Sequence, residues 1–382
     1  MKSIQITQPG EIKIIDIPRP VLQPDEVLVK ILYAGFCGSD LNTYSGKNLL
    51  AKMPVIPGHE IGGRIEAIGE AVPEQWARDA VSKDNRDIEV VGEAVAEQLD
   101  AVSKANRDIE AVGEAAPLYL APGMSCTINP YTACGSCSSC RNGRPNACRF
   151  NQTLGVQRDG AMREFMAVPW NKIIADPHIT PLDFSLVEPM SVGFHAVDRG
   201  KVSHLDTVMV LGCGMIGIGA IVGAILRGAC VVAVDIDNDK LVLAKRLGAT
   251  FTINSQSENV HEHIQSITDH NGPDVVIEAV GAPATYQLAV QEVAFSGRVV
   301  YIGYAKNDIA FETKAFVQKE LDIRGSRNAL PDDFRAVMAY IKKGVFPKET
   351  FISGVYSPEK AQEALEKWKS NPGKTFRMLI TF

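Results

Sequence analysis

Four cysteines lie close together near the middle of the chain, with the spacing Cys134-x2-Cys137-x2-Cys140-x7-Cys148. Spacings of two residues let successive thiolates point into one tetrahedron around zinc, and clustered cysteines in a reducing compartment usually bind metal. A loop of free thiols and an iron–sulfur cluster are the alternatives to zinc. Four thiolates leave no position for water or substrate. The segment 134–148, called the four-cysteine lobe below, therefore predicts a structural zinc site.

A second set of candidate metal ligands is chemically mixed and scattered along the chain. Cys37 lies in Gly-Phe-Cys-Gly-Ser-Asp, His59 and Glu60 lie in Pro-Gly-His-Glu, and Glu188 lies in Leu-Val-Glu-Pro. Each residue alone is a weak signal, and a lone cysteine or histidine is more often a packing residue than a ligand. Together they supply a thiolate, an imidazole and carboxylates, all beside turn residues. Three protein ligands with one open position are typical of catalytic zinc, so this set predicts a catalytic metal site.

A glycine-rich turn indicates a nucleotide site. The apolar strand pattern of 207–211 leads into Gly212-Cys213-Gly214-Met215-Ile216-Gly217 and then into an apolar helical stretch. In such a turn the first glycine permits a tight bend, the second lets the backbone approach a pyrophosphate, and the third lets helix and strand pack closely. The amides at the N-terminus of the helix then hold the phosphates.

A second strand pattern, 230–234, ends at Asp235, 18 residues after the third glycine of the turn. An acid at this place hydrogen-bonds the adenosine ribose hydroxyls and repels a 2′-phosphate, so NAD is favoured over NADP. Further apolar strand patterns follow at 251–253, 275–278, 299–302 and 321–324. Helical segments lie between most of them, which predicts a doubly wound parallel sheet in an α/β fold.

The composition limits what kind of protein can hold these motifs. The 382 residues, 46% apolar and 22% charged, are typical of a globular protein with two or three domains. A net charge of −6 argues against nucleic-acid or anionic-membrane partners. No apolar run is long enough to span a membrane, and residues 1–13 alternate like a strand and not like a signal peptide. We therefore expect a cytoplasmic protein.

Taken together, the Gly-His-Glu motif, the four-cysteine lobe and the glycine-rich turn resemble the zinc-containing medium-chain dehydrogenases, which include alcohol, sorbitol and threonine dehydrogenases. The resemblance implies a GroES-like β-rich catalytic domain over 1–188 and 326–382, and a Rossmann NAD-binding domain over 189–325. Glu-Pro-Met-Ser-Val-Gly from Glu188 resembles the polyol branch of this family. Gly-Ser-Arg-Asn-Ala from Gly325 resembles bacterial sugar-acid enzymes such as L-galactonate and L-gulonate 5-dehydrogenases.

The resemblance also implies roles for individual residues. The catalytic zinc ligands are Cys37, His59 and either Glu60 or Glu188, because the two carboxylates can exchange at the metal in this family. Ser39 accepts the proton of the substrate hydroxyl, with a turn-capping hydroxyl as the alternative role. Lys240 matches a position that contacts the adenosine ribose.

One departure from the family pattern concerns the proton relay. Many relatives have a histidine two residues after the aspartate of Cys-Gly-Ser-Asp, and that place holds Asn42 here. An amide does not titrate near neutrality, so the outer relay must use water, ribose hydroxyls or another group.

One segment, residues 73–117, is additional to the family pattern and contains a repeat. Residues 79–88 return almost unchanged as 100–109, and the phrase at 65–72 returns at 88–95 and 109–116. The apolar residues of the segment recur at steps of three, four and seven, which predicts an amphipathic helical insert. A tolerated surface insertion, a contact with another subunit or partner, and an engineered duplication are the three interpretations.

The function expected from these motifs is reversible, zinc-dependent transfer of a hydride from a secondary alcohol of a sugar acid or polyol to NAD. Threonine or simple-alcohol dehydrogenases of the same family are the alternative enzymes. A non-catalytic, NAD-sensing scaffold is the alternative from another class. We expect a homodimer or homotetramer and a small-molecule alcohol, polyol or aldonate as the substrate.

Overall fold

The structure is a computed structural model that describes residues 1–48, 50–73 and 119–382. The predicted helical insert, apart from its first residue, lies outside the described residues. The described chain divides into two units. The first contains residues 1–48, 50–73, 119–191 and 328–382, and the second contains residues 192–327. The assignment of catalysis to one unit and of coenzyme binding to the other remains a proposal.

The strands, in chain order, are β1 (Lys2–Gln8), β2 (Glu11–Asp16), β3 (Glu26–Phe36), β4 (Glu60–Ile68), β5 (Ser125–Ile128), β6 (Tyr131–Thr132), β7 (Gln152–Thr153), β8 (Phe165–Pro169), β9 (Ile173–Ala175), β10 (Thr207–Leu211), β11 (Cys230–Asp235), β12 (Phe251–Asn254), β13 (Val275–Glu278), β14 (Arg298–Tyr301), β15 (Asp322–Gly325), β16 (Ile352–Tyr356) and β17 (Arg377–Thr381). The α-helices are α1 (Gly38–Tyr44), α2 (Ser138–Arg141), α3 (Pro181–Phe184), α4 (Val187–Arg199), α5 (Met215–Leu226), α6 (Asn238–Arg246), α7 (Val260–Ile267), α8 (Pro283–Glu292), α9 (Lys314–Gln318), α10 (Pro331–Lys342), α11 (Lys348–Phe351) and α12 (Ala361–Ser370).

The first unit is built around a seven-stranded sheet in the order β16-β17-β3-β4-β5-β9, with β8 also pairing with β3. Apolar side chains of these strands form a buried core with α12. The antiparallel pairing of β3 with β4 sets Gly35 opposite Glu60, so the end of one strand lies beside a candidate metal ligand. Glycine is also required at position 62, because an added Cβ would lie 1.7 Å from the carbonyl oxygen of Pro181 at the start of α3.

The N-terminal segment differs from its prediction. A single strand was expected over 1–13, but the chain reverses after Gln8 and forms the antiparallel hairpin of β1 and β2. Gly10 has a φ of 80°, a left-handed conformation that glycine adopts without strain. The alternation of apolar residues continues across the turn, which is why the pattern reads as one strand.

The second unit contains a six-stranded sheet in the order β12-β11-β10-β13-β14-β15, and all of its pairings are parallel. The order reverses between β10 and β13, and open α/β sheets bind ligands at the carboxyl ends of strands at such a point. The central strands are buried along most of their length and α5 is apolar almost all round, as a helix covered by its own unit should be. Within the described part of the chain, none of the helices is long and apolar enough to cross a membrane.

Candidate functional site

Three candidate ligands meet where two central strands of the seven-stranded sheet end, at the C-terminus of β3 and the N-terminus of β4. Cys37 is the residue that caps the N-terminus of α1, His59 immediately precedes β4, and Glu60 is the first residue of β4. One ligand atom from each of the three lies within 4.8 Å of the others, and His59 and Glu60 are buried. We call these three residues the candidate catalytic cluster. Thiolate, imidazole and carboxylate together are a ligand set suited to zinc with one open position.

Cys37 and His59 stabilise each other's charged form. Burial disfavours a thiolate at Cys37, but the neighbouring His59 more than compensates and holds the pKa of the thiol below its ordinary value. Burial likewise disfavours an imidazolium, yet the Cys37 thiolate raises the pKa of His59 well above its usual range. The two groups therefore favour a charged pair in the protein alone, and a metal cation would take the place of the proton that they share.

The carboxylate of Glu60 is closely enclosed by Gly35 and Arg377. Gly35 provides the space, because a Cβ at that position would lie 2.3 Å from Glu60 Oε2. The buried Arg377, from β17, brings its Nη1 to 2.8 Å from Glu60 Oε1, and the same nitrogen donates a hydrogen bond to the carbonyl oxygen of Phe36. Burial nevertheless raises the pKa of Glu60 well above its usual value, against the effect of Arg377. Because the contact with Arg377 lacks hydrogen-bond geometry, neither oxygen of Glu60 has a hydrogen-bond partner among the described residues.

Glu188 lies nearby but is held differently. The buried hydroxyl of Tyr131, from β6, donates a hydrogen bond to Glu188 Oε1. The negative charge of Glu188 helps to raise the pKa of His59, so the carboxylate is close to the cluster although it is not one of the three converging ligands. The structure therefore places Glu60 among the three converging ligands, whereas Glu188 is hydrogen-bonded to Tyr131. Tyr131 belongs to no recognisable motif, so its contact with Glu188 could not be predicted from the sequence.

Ser39 and Asp40 follow Cys37 in α1. Ser39 Oγ is buried and has no hydrogen-bond partner in the described part of the chain, so it does not cap the turn. Asp40 accepts hydrogen bonds from the backbone N–H groups of Cys37, at 2.8 Å, and Gly58, at 3.4 Å. This carboxylate thus joins the two segments that carry the thiolate and imidazole ligands. The sequence signal for it is an acid three residues after a helix N-cap.

The buried polar atoms that make no hydrogen bond agree with a metal at the cluster. Nδ1 of His59, both carboxylate oxygens of Glu60 and Ser39 Oγ are all buried without a hydrogen bond to any described residue. Buried polar atoms are normally paired in native proteins, so a local concentration of exceptions calls for a bound group. A zinc ion and the hydroxyl of a substrate on it would satisfy these atoms. Cys37, His59 and Glu60 thus fit the metal that their chemistry predicts.

The four-cysteine lobe brings its sulfurs together in the same unit. The sulfur of Cys148 lies 3.5 Å from that of Cys134 and 3.7 Å from that of Cys137, which lies 3.5 Å from that of Cys140. Four sulfurs bound tetrahedrally at about 2.3 Å from zinc are roughly 3.8 Å apart, whereas a disulfide is about 2.05 Å long. The observed spacing therefore fits a zinc tetrahedron and excludes disulfides.

Backbone N–H groups stabilise negative sulfur in the lobe. The amides of Cys134 and Phe150 donate to the sulfur of Cys148 at 3.3 Å, and the amide of Cys137 donates to that of Cys134 at 3.4 Å. Hydrogen bonds from the amides of Ser136 and Cys137 lower the pKa of Cys134 to about 6. Burial and the neighbouring sulfurs raise the pKa of Cys140 to about 12. A divalent cation is what would allow all four to be thiolates at once.

Of the three glycines of the glycine-rich turn, only Gly214 has open space beside it in which a ligand could lie. A Cβ on Gly217 would lie 1.8 Å from the carbonyl oxygen of Gly212, so helix and strand touch there. A Cβ on Gly214 would meet no protein atom within 4 Å, and Gly214, the N-cap residue of α5, supplies no side-chain cap. The amide groups at the start of α5, in Met215 and Ile216, therefore face an open approach. Such an N-terminus suits a pyrophosphate.

Asp235 and Lys240 both lie next to this turn. Asp235 Oδ2 accepts a hydrogen bond of 2.6 Å from the backbone N–H of Cys213, and its Oδ1 accepts from Ile236 and Asp237. Lys240, in the first turn of α6, is largely buried, and its charge acts on the thiol of Cys213. The candidate coenzyme residues thus lie around the glycine-rich turn. The backbone N–H of Cys213 in that turn holds the carboxylate of Asp235 in place.

Comparison with known proteins identifies the family. A model described as "Alcohol dehydrogenase GroES-like domain" matches residues 23–101 and 105–178, and one described as "Zinc-binding dehydrogenase" matches residues 216–343. The chain belongs to the zinc-type medium-chain alcohol and polyol dehydrogenases. The predicted resemblance, the predicted fold class and the prediction of a zinc-dependent oxidoreductase are confirmed. The predicted roles of individual residues remain predictions.

Three relatives illustrate the range of the family. The chain is 29% identical to a sorbitol dehydrogenase of Bacillus subtilis (strain 168) over 377 residues, which cover 96% of this chain and 93% of the relative. It is 26% identical to an L-galactonate-5-dehydrogenase of Escherichia coli (strain K12), with 95% and 94% covered. A solved alcohol dehydrogenase structure, RspB of Escherichia coli CFT073 with NADH, has a TM-score of 0.80 at 25% identity, with 100% and 99% covered.

Proposed function

We propose that this protein oxidises a secondary alcohol of a sugar acid or polyol with NAD, reversibly, as an enzyme similar to L-galactonate or L-gulonate 5-dehydrogenase. The observation that carries the proposal is the candidate catalytic cluster with its unpaired buried atoms. Cys37, His59 and Glu60 bring three zinc-ligand atoms within 4.8 Å of one another, and Ser39 Oγ is buried without a partner among the described residues. A metal-binding scaffold without chemistry would not need an unpaired hydroxyl beside its ligands.

In the proposed reaction, the residues around the cluster bind the alcohol and move its proton. Zinc, when bound, supplies a Lewis acid that lowers the pKa of an alcohol hydroxyl from about 16 toward neutrality. Ser39 accepts the hydroxyl proton, and the carbinol carbon gives its hydride to C4 of the nicotinamide of NAD⁺. Asn42 cannot carry the proton onward by titration, so we propose that water or a ribose hydroxyl does so. Glu188, held by Tyr131, would reach a bound metal only when this hydrogen bond opens.

The coenzyme part of the proposal rests on the glycine-rich turn. We assign the pyrophosphate to the amides at the start of α5, reached past Gly214, and the adenosine ribose to Asp235 and Lys240. A 2′-phosphate would be repelled by the carboxylate of Asp235, which three backbone N–H groups hold beside the turn. The relative RspB was crystallised with NADH and a zinc-binding dehydrogenase of Sinorhizobium meliloti, at 26% identity, with NADP, so the choice rests on Asp235. We expect NAD to be preferred over NADP.

A substrate panel tests the proposal directly. Purified protein is offered aldonates, polyols, L-threonine and short alcohols with NAD or NADP. NADH formation is followed by absorbance, and zinc is measured on the same sample. We expect turnover of an aldonate or polyol with NAD, and two zinc ions per chain. Sustained turnover of short alcohols or threonine alone would favour the alternative enzymes of the family. NADH binding by zinc-loaded protein without any turnover would favour the NAD-sensing scaffold.

The assembly and location belong to the same proposal. We expect a homodimer or homotetramer, as in many dehydrogenases of this family, and a reducing compartment such as the cytoplasm. The described cysteines are all free thiols, which is how a thiolate metal site must be kept. Light scattering of the purified protein measures the assembly.

A further inference from the structure

Two cations near the segments that carry the candidate catalytic cluster lack an ion-pair partner among the described residues. Arg158 and Lys172 are both partly buried, and neither forms an ion pair with any residue in the described ranges. The nearest acids along the chain are engaged elsewhere. Asp159 lies 3.9 Å from Arg163 and accepts a hydrogen bond from the backbone N–H of Ile56, while Asp176 pairs with Lys342 at 2.9 Å. Partly buried positive charge without a partner is unfavourable unless an anion is bound there.

Arg158 is the more informative of the two. Its Nε is buried and makes no hydrogen bond within the part of the chain that the structure describes. Burial lowers the pKa of Arg158, but a guanidinium stays charged in proteins, so the cost remains. The turn that carries it lies against the loop that carries His59, because a Cβ on Gly155 would be 2.5 Å from the amide nitrogen of Gly58. The turn that carries Arg158 is therefore next to the loop that leads into His59.

Lys172 is connected to the cluster through Tyr131. Its Nζ donates a hydrogen bond of 2.6 Å to the carbonyl oxygen of Tyr131, the residue whose hydroxyl holds Glu188. An ammonium group has three N–H donors, so two remain available. The pairing of β6 with β7 sets Tyr131 opposite Thr153, so Lys172 lies beside the segment that leads into the turn of Arg158. In agreement with this placement, the charge of Arg158 is, after burial, a cause of the lowered pKa of Lys172.

We propose that Arg158 and Lys172 form a subsite that binds an anionic oxygen group of the substrate, a carboxylate or a phosphate monoester. The planar guanidinium matches such a group with two parallel N–H···O bonds, and Lys172 adds a second charge. This inference rests on the proposed function and narrows it, because a neutral polyol would leave both cations unpaired. The true substrate then carries its anion at a fixed distance along the carbon chain from the reacting carbinol.

The test compares three six-carbon compounds that differ in charge: galactitol, L-galactonate and galactitol 1-phosphate. Each is offered with NAD to the full-length zinc-loaded protein and to its Arg158→Gln, Arg158→Lys and Arg64→Gln variants. Arg64 is an exposed arginine of β4 and controls for the change of net charge. We expect the unaltered protein to prefer one of the two anions, and that preference shows whether the group is a carboxylate or a phosphate.

Arg158→Gln should raise KM for that anion about ten- to a hundredfold, the loss expected for a charge-assisted pair of hydrogen bonds. Its kcat/KM for galactitol should stay within about twofold of the original, Arg158→Lys should recover part of the loss, and Arg64→Gln should change nothing. Equal use of galactitol and the anions by the unaltered protein, or an equal loss for charged and neutral compounds in Arg158→Gln, would overturn the subsite.

Failure of the proposed function looks different from failure of the subsite. If zinc-loaded protein binds NADH but oxidises none of the three compounds, the proposed function fails. The subsite is then decided by calorimetry with L-galactonate and galactitol 1-phosphate. Binding that is lost in Arg158→Gln and kept in Arg64→Gln supports the subsite. No binding, or binding unchanged by Arg158→Gln, refutes it.

Discussion

The candidate catalytic cluster and the four-cysteine lobe lie in the same unit, but they differ in the hydrogen bonds that their ligand atoms accept. The lobe takes its four sulfurs from one short stretch, 134–148, and backbone N–H groups of that stretch and its neighbour Phe150 donate to them. The cluster takes its ligands from separate segments and leaves His59 Nδ1 and the Glu60 oxygens without hydrogen bonds to the described residues. One site is complete once a metal binds, whereas the other keeps capacity for a further group.

The difference shows how a fold separates stability from chemistry. A closed site can be local, because its ligands need only each other and the metal. An open site must hold its ligands from outside, since the position facing the substrate cannot contribute support. Here that outside support comes from Asp40, Arg377, Tyr131 and the space at Gly35. The following predictions separate the two kinds of site, beginning with the largest effect.

Replacing Cys37 with serine should abolish activity and leave the fold intact. Loss of the Lewis acid costs several kcal/mol of transition-state stabilisation, which corresponds to a decrease in kcat/KM of about a thousandfold or more. The zinc content should fall from two ions to one, because the lobe does not depend on Cys37. Turnover and zinc content measured on one preparation check this. Unchanged turnover would show that Cys37 is not a catalytic ligand.

Replacing Cys140 with serine should have the opposite profile. The lobe would lose its metal, and the free energy of unfolding should fall by several kcal/mol, which lowers Tm by roughly 10 °C. At a temperature well below the new Tm, kcat should stay close to the original value, since the cluster keeps its ligands. Calorimetry and kinetics at two temperatures distinguish the variants. A large loss of kcat in fully folded Cys140→Ser protein would mean that the two sites are not independent.

Replacing Gly35 with alanine should disturb the cluster without touching a ligand. The added Cβ would lie 2.3 Å from Glu60 Oε2, so the carboxylate must move. Changes to groups that support metal ligands typically cost about ten- to a hundredfold in metal affinity or activity. Competition with a chelator measures the affinity, and the lobe zinc serves as the internal reference. The control is Gly373→Ala, where an added Cβ meets no atom within 4 Å. Equal zinc retention by both variants would contradict the role assigned to Gly35.

Replacing Tyr131 with phenylalanine should have a smaller effect, because it frees Glu188 and removes no ligand. Without the hydroxyl, Glu188 can approach the metal at rest, and we expect a loss of kcat of about tenfold. Cobalt substituted at the catalytic site reports the change, since its visible absorption weakens when a fifth ligand joins. A spectrum identical to that of the unaltered protein would mean that Tyr131 does not decide which carboxylate binds.

The contrast between the two sites also explains what the sequence could predict. The lobe, the glycine-rich turn and Asp235 are local motifs, so their spacing alone indicates their chemistry. No motif assigned a role to Gly35, Tyr131 or Arg377, and each matters only because distant segments meet: Arg377 reaches the carbonyl of Phe36 across 341 positions of sequence. The parallel sheet was predictable from alternating strands and helices. The N-terminal hairpin was not, because its apolar alternation runs through the turn at Gly10.

The smallest effect is expected from the repeated segment. Deleting residues 88–108 removes one complete period of 21 residues and joins Asp87 to Ile109, in the same local context as the original. The described chain on both sides is anchored without it, since the amide of Gly69 donates to the carbonyl of Glu26 and that of Gly123 donates to Ile65, each at 2.8 Å. We expect kcat/KM and zinc content within about twofold of the original, and a Tm within a few degrees, as for loop-length changes. A shift in oligomeric state by light scattering would instead assign the segment to a subunit contact. Loss of activity with no such shift would make the duplication part of the catalytic unit. The repeated segment would then have to be added to the residues that support the cluster, and the contrast with the self-sufficient lobe would be greater.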